Sequence, residues 1–168
     1  MINEIDDLFD EFLSAPPIFK NREVLRPTYV PKHLPHRSIQ VRALGAPLAS
    51  ALRGATPSNL FLYGKTGTGK TVVVLNVLNT LQSKSESCGF PMRSAYTNCR
   101  IVDTNYRVLA NLCAALDVQI PFTGLPTDEV YSRFRTALDG LGGLFIIVLD
   151  EVDALVRKSG DETLYNLT

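Results

Sequence analysis

Gly64-Lys65-Thr66-Gly67-Thr68-Gly69-Lys70-Thr71 carries the pattern GxxxxGK[ST] in full. Glycines at these spacings let the backbone curl until successive N–H groups point inward at phosphate oxygens. Lys70 supplies a compact cation for β- and γ-phosphates. Thr71 offers a hydroxyl to Mg²⁺ and opens a helix whose positive end faces the anion. From average residue usage, a chance match in a chain this long has a probability of roughly one in two hundred. A glycine-rich turn with no ligand is therefore the weaker reading. The flanks agree: residues 59–63 (Asn-Leu-Phe-Leu-Tyr) read as a short buried strand. Residues 71–81 read as a helix with Val74, Leu75, Val77, Leu78 and Leu81 as its apolar positions. Strand, loop and helix are the setting this motif needs, and the ligand it predicts is ATP or ADP with Mg²⁺.

A second stretch completes the expected site. Phe145-Ile146-Ile147-Val148-Leu149-Asp150-Glu151 is an apolar strand ending in two acids. In a parallel sheet, ligands bind beyond the carboxyl ends of the strands. Asp150 is the expected Mg²⁺ ligand, and Glu151 the residue expected to orient an attacking water, since phosphoryl transfer depends mostly on positioning and electrostatics. The bland alternative makes both acids the start of a loop, and Asp153 is as well explained as a helix cap. An adjacent glutamate separates the chain from most GTPases and small-molecule kinases. It points to the additional-strand class of ATPases.

The remaining elements alternate. Ile5, Leu8, Phe9, Phe12 and Leu13 form one apolar stripe of a helix that Pro16 and Pro17 end. Residues 18–35, with Pro27, Pro31 and Pro35, read as extended. A helix is predicted over about 39–53, kinked at Pro47, and residues 82–89 read as a surface loop. Residues 94–99 read as a second strand. Asp103 or Thr104 caps the next helix, Thr127 the one after, and Gly140, Gly142 and Gly143 stop that one. Three strands separated by helices predict a parallel α/β sheet.

At 168 residues the chain is long enough for one domain, and its 45% apolar and 20% charged content is ordinary for a globular protein. The longest apolar run, residues 144–149, is too short to span a membrane. No secretory signal is present, and Cys88, Cys99 and Cys113 lack metal-ligand spacing, so reduced thiols are expected. Net charge is zero. Residues 1–19 are purely acidic, whereas residues 20–58 carry seven bases against Glu23 alone. Solvated faces explain this distribution, and a basic arm beside DNA or nucleotide is the alternative.

Several stretches together resemble one family. They are residues 29–37 (Tyr-Val-Pro-Lys-His-Leu-Pro-His-Arg), 60–71, 103–109 (Asp-Thr-Asn-Tyr-Arg-Val-Leu), 121–125 (Pro-Phe-Thr-Gly-Leu) and 147–154. In order and spacing they are similar to the archaeal origin recognition complex/cell-division-control replication initiators, an AAA+ ATPase family. The resemblance runs from about residue 18 to the last. It implies an incomplete AAA+ ATP-binding domain over 18–168, preceded by the acidic helix and breaker that periodicity and prolines place over 1–17. It also implies that Tyr29, Val30, Pro31 and Arg37 line an adenine pocket. A turn packing on the sheet edge explains residues 29–31 equally well. Residues 116–125 would lie in or beside a helical insertion that contacts origin DNA, with an ordinary helix–helix loop around Pro121 and Gly124 as the alternative. Origin DNA, a replicative helicase and other initiator subunits are the implied partners, in the cytoplasm of an archaeal-type cell, near the nucleoid.

The fold class so implied is a P-loop NTPase sheet flanked by helices and truncated after its third core strand. Members of the family continue into two further strands, a sensor, an arginine finger, a lid and a winged helix, which the resemblance does not lead one to expect within residues 1–168. Poor hydrolysis is therefore expected. With the family strand order 5-1-4-3-2, residues 59–63 would stand without neighbours. A non-hydrolysing regulatory or decoy module, or another AAA+ ATPase such as a clamp loader, stays open beside the initiator reading.

Overall fold

The computed structural model describes all residues except 1–3, 17, 27, 28 and 122. The chain forms two compact units, residues 1–31 and 32–168. In the first, α1 (Glu4–Ser14) carries the expected stripe, and Ile5, Leu8, Phe9, Phe12 and Leu13 are all exposed. The segment after it is not wholly extended: Arg22–Leu25 forms a 3₁₀ turn because the Asn21 side chain accepts a hydrogen bond from the Glu23 N–H at 3.0 Å. Pro17 and Pro27 lie outside the described residues.

The second unit is built on a parallel pair of strands, β1 (Met92–Asn98) and β2 (Leu144–Asp150). Their register runs from Met92 opposite Leu144 to Asn98 opposite Asp150. Side chains alternate between the two faces of a sheet, so this register divides the core. Met92, Leu144 and Ile146 face α2 (Ser38–Leu48) and α3 (Lys70–Cys88), packing with Leu44, Leu48, Val73, Val77 and Leu81. Ala95, Phe145, Ile147 and Leu149 face α4 (Asn105–Ala114) and α5 (Thr127–Gly140), packing with Val108, Leu112, Val130 and Phe134. On that second face the buried Thr97 hydroxyl accepts the Asn111 amide at 2.8 Å. The outcome is a helix–sheet–helix sandwich, closed by α6 (Val152–Ser159), whose Leu155 is fully buried, and α7 (Glu162–Leu167).

Three local expectations are corrected. Residues 82–88 are not a loop: α3 continues through them, its Ser85 hydroxyl is bonded to the Gln82 carbonyl, and Gly89 at φ +70° ends it. The helix over 39–53 changes character after Pro47, which has no N–H for the ladder, and finishes as the 3₁₀ turn Ala49–Arg53. Thr127 is the first residue of α5 rather than its cap, which is Pro126. Thr104 does cap α4, accepting from the Arg107 N–H at 3.4 Å. That leaves Asp103 to bind Lys158 and to accept Ser159 Oγ at its carbonyl, 3.2 Å away, fastening α6 to the start of α4. The Lys158 hydrogen bond holds the Asp103 carboxyl below its ordinary value.

The largest correction concerns residues 59–63, which form no strand. Among the described residues β2 pairs with β1 alone, so no ladder takes up this run. Its side chains still alternate, with Leu60 and Leu62 at 41% exposure against 78% for Phe61 and 84% for Tyr63. The Phe61 and Tyr63 rings stack on the outer side, centroids 6.1 Å apart. Extended geometry is local, whereas strand status needs a hydrogen-bonded neighbour.

Gly143 sits where the Leu144 N–H donates to the Pro91 carbonyl at 3.1 Å, and a Cβ on Gly143 would lie 2.1 Å from that oxygen. Gly140, three residues earlier, has open space around it. Gly143→Ala is expected to destabilise the fold by about 1–3 kcal/mol, and Gly140→Ala to stabilise it by about 0.5–1 kcal/mol. Urea midpoints at unchanged m-value test both signs, and two shifts in one direction contradict the geometry.

Candidate phosphate-binding site

The loop of residues 64–69 hands directly into α3. Gly69, at φ +80°, is the N-cap, and its carbonyl accepts the Val73 N–H at 3.2 Å. The first N–H groups of a helix have no partner inside it, so this loop end presents donors and a positive dipole end. Thr68 Oγ1 donates to the Lys65 carbonyl at 2.8 Å and closes the turn. Lys70 Nζ reaches back to the Gly64 and Lys65 carbonyls, 3.0 Å from each. An ammonium has three N–H groups, and these two bonds hold the charge over the loop.

Register supplies the rest. Asp150 lies on the β2 face that packs on α3, at the carboxyl end of the strand. Thr71 Oγ1 donates to Asp150 Oδ2 at 2.8 Å, although 79 positions separate the two residues. Hydroxyl and carboxylate are hard oxygen donors of the kind Mg²⁺ takes together with phosphates and water. Among the described residues no three His, Cys, Asp or Glu side chains gather as a metal cage. The protein side of such a site is this pair, and its donor set fits Mg²⁺. Glu151 is exposed and occupies left-handed space, φ +53° and ψ +39°, at the N-cap of α6, and its N–H donates to Asp150 Oδ1 at 3.0 Å. Asp153 is in the first turn of α6 and pairs with Arg157 at 3.3 Å, which gives it a helix-surface role.

The sequence reading overlooked Tyr96. Its hydroxyl donates to Asp150 Oδ2 at 2.8 Å. Burial, together with the Asp150 carboxylate, pushes the phenol up to about 12, which keeps it a donor. Burial and the same carboxylate push the Cys99 thiol up to about 11. All three cysteines are free.

Beside the loop is a cleft of about 450 Å³. Arg37 and Gln40 from the start of α2, Leu60 and Leu62, and Gly69 and Lys70 line it. This is the size of a small-molecule pocket. It brings Arg37 to the phosphate loop, within 3.9 Å of where a Gly69 Cβ would stand. Tyr29, Val30 and Pro31 belong to the first unit, so their place in an adenine pocket stays an expectation. In residues 116–125, Leu116 is buried and Val118, Ile120 and Leu125 are half-buried against the α4–α5 core. Tyr106 donates to the Pro121 carbonyl, Thr123 and Gly124 are exposed, and Phe122 lies outside the described residues.

Residues 53–168 match the family model described as AAA domain. The chain belongs to the AAA domain family. It is 51% identical over 168 residues to an ORC1-type DNA replication protein of Pyrococcus abyssi, covering 98% of this chain and 40% of that one. It is 48% identical over 164 residues to ORC1-type DNA replication protein 1 of Methanosarcina acetivorans, covering 98% of this chain and 39% of that one. A solved structure of the Aeropyrum pernix ORC1 protein in complex with DNA superposes with TM-score 0.84 at 46% identity, over 88% of this chain and 39% of that one. The chain therefore spans about two fifths of the length of the relatives it matches. The relatives it matches are ORC1-type DNA replication proteins, which agrees with the resemblance of the quoted stretches. No helix among the described residues is long and apolar enough to cross a membrane.

A non-glycine residue in left-handed space costs roughly 1–2 kcal/mol, and asparagine tolerates that region better than glutamate while also capping helices well. Glu151→Asn is expected to raise unfolding stability by about 1 kcal/mol. A fall in the urea midpoint would show that the Glu151 side chain itself contributes to stability.

Proposed function

We propose that these residues bind ATP and ADP with Mg²⁺ and form the nucleotide-responsive part of a DNA replication initiator. The observation that carries the reading is the Thr71–Asp150 hydrogen bond, which joins the end of the phosphate loop to the end of β2. Gly64, Lys65, Thr66, Gly67, Thr68 and Gly69 present backbone donors to the phosphates, and Lys70 contributes its charge. Thr71 and Asp150 hold Mg²⁺, which neutralises phosphate charge when bound. The cleft at Arg37 takes the nucleoside. Glu151 orients the attacking water. Residues 1–17 act as a separate acidic segment and 18–168 as the ATP-binding domain.

The relatives at about 50% identity are named ORC1-type DNA replication proteins, and the Aeropyrum pernix ORC1 protein was solved in complex with DNA. By likeness, origin DNA is the proposed partner of the longer protein, with a replicative helicase and other initiator subunits following the nucleotide state. The exposed Thr123 within residues 116–125 supports a DNA-facing segment there.

Lys70→Ala is expected to weaken ATP binding by at least about tenfold, because a phosphate cluster loses a charge-assisted partner. Unchanged affinity by calorimetry sinks the phosphate-loop reading. In a chain extended to the length of the relatives, Phe122→Ala with Thr123→Ala is expected to weaken duplex DNA binding several-fold without altering ATP affinity. Equal DNA affinity returns the segment to an ordinary loop.

A further inference from the structure

Tyr96 has no part in the motifs, yet it shares an acceptor with Thr71. On β1 it stands two residues before Asn98, which is opposite Asp150 in the register. Residues two apart on a strand share a face. Tyr96 is therefore the diagonal neighbour of Asp150, a separation of about 7–8 Å that an aromatic side chain can span. Its hydroxyl arrives 2.8 Å from Oδ2, the oxygen that also accepts Thr71 Oγ1 at 2.8 Å, while Oδ1 accepts the Glu151 N–H at 3.0 Å.

An ionised carboxylate offers about four lone-pair sites. Three are engaged here, and the three donors are not equivalent. Thr71 is the residue whose hydroxyl turns to Mg²⁺ in the reading proposed above, on which this inference rests. Once it turns, the Glu151 N–H fixes one oxygen, and the other needs a second donor to keep the carboxylate from rotating about its Cβ–Cγ bond. Tyr96 is that donor. Its ring is rigid, with two side-chain torsions, and it is anchored on a strand rather than a loop.

We propose that Tyr96 is a positioning residue for Asp150, holding Oδ2 in place so that the carboxylate meets Mg²⁺ bound with ATP in a fixed orientation. The role is confined to the metal-dependent part of nucleotide binding. The phosphate-loop backbone, Lys70 and the cleft at Arg37 act on ATP through their own atoms, with or without the metal.

Calorimetric titration of the 168-residue chain with ATP, once in excess EDTA and once in excess Mg²⁺, gives two dissociation constants whose ratio measures the metal contribution. Tyr96→Phe keeps the ring and removes only the hydroxyl. The expected result is an unchanged affinity in EDTA, an unchanged urea midpoint and an Mg²⁺ ratio reduced about tenfold, the size seen when a group orienting a metal ligand is removed. Asp150→Asn should abolish the ratio, and adding Tyr96→Phe to it should change nothing further. A normal ratio in Tyr96→Phe overturns the assignment while leaving the phosphate-loop reading intact. An equal loss with and without Asp150 also overturns it, since the hydroxyl would then act elsewhere. Absence of ATP binding by the unsubstituted chain overturns the phosphate-loop reading, and this assignment falls with it.

Discussion

The parallel register of β1 and β2, with Met92 opposite Leu144 and Asn98 opposite Asp150, constrains almost everything else in the second unit. Because side chains alternate, the register decides which residues meet α2 and α3 and which meet α4 and α5. A slip of one residue would send Ile146 and Val148 to the other face, exchange the two cores and turn Asp150 away from Thr71. Function and stability thus share one specification. The packing that buries Ala95 against α4 and Met92 against α3 is also what delivers a carboxylate to the start of the phosphate-loop helix.

What could be read from sequence was what depends on neighbours along the chain. The phosphate loop is a contiguous run whose glycines and lysine act within eight residues, and the acid pair follows directly on its apolar strand. Thr104 as a cap was legible because capping spans three residues. The corrected elements answer to something farther away. Residues 82–88 have a loop's composition, but their helix is secured by Ser85 packed into the interior. Residues 59–63 have a strand's composition, and no neighbouring strand among the described residues takes them into a ladder. Tyr96 was missed for the same reason: its partner is 54 positions away, and only the register reveals that the two share a face. Alternate positions on two predicted parallel strands, lined up from their polar ends, are the signal that could have found it.

The connection between β2 and α6 is a single residue. Asp150 is the last strand residue and Val152 the first helical one, so Glu151 alone must turn the chain. Glu151 makes that turn at φ +53°. At this turn the Glu151 N–H donates to Asp150 Oδ1, holding one edge of the carboxylate from the main chain, and the Glu151 side chain is exposed. Backbone strain of this kind persists only where surrounding structure over-determines it. Here the determinants are the β1–β2 ladder before the turn and the buried Leu155 with the Asp103–Lys158 contact after it. The same tether that closes the fold at α6 therefore bears on the segment that carries both acids, of which Asp150 meets Thr71. The strand register before Glu151 and the α6 attachment after it thus both bound this one left-handed residue.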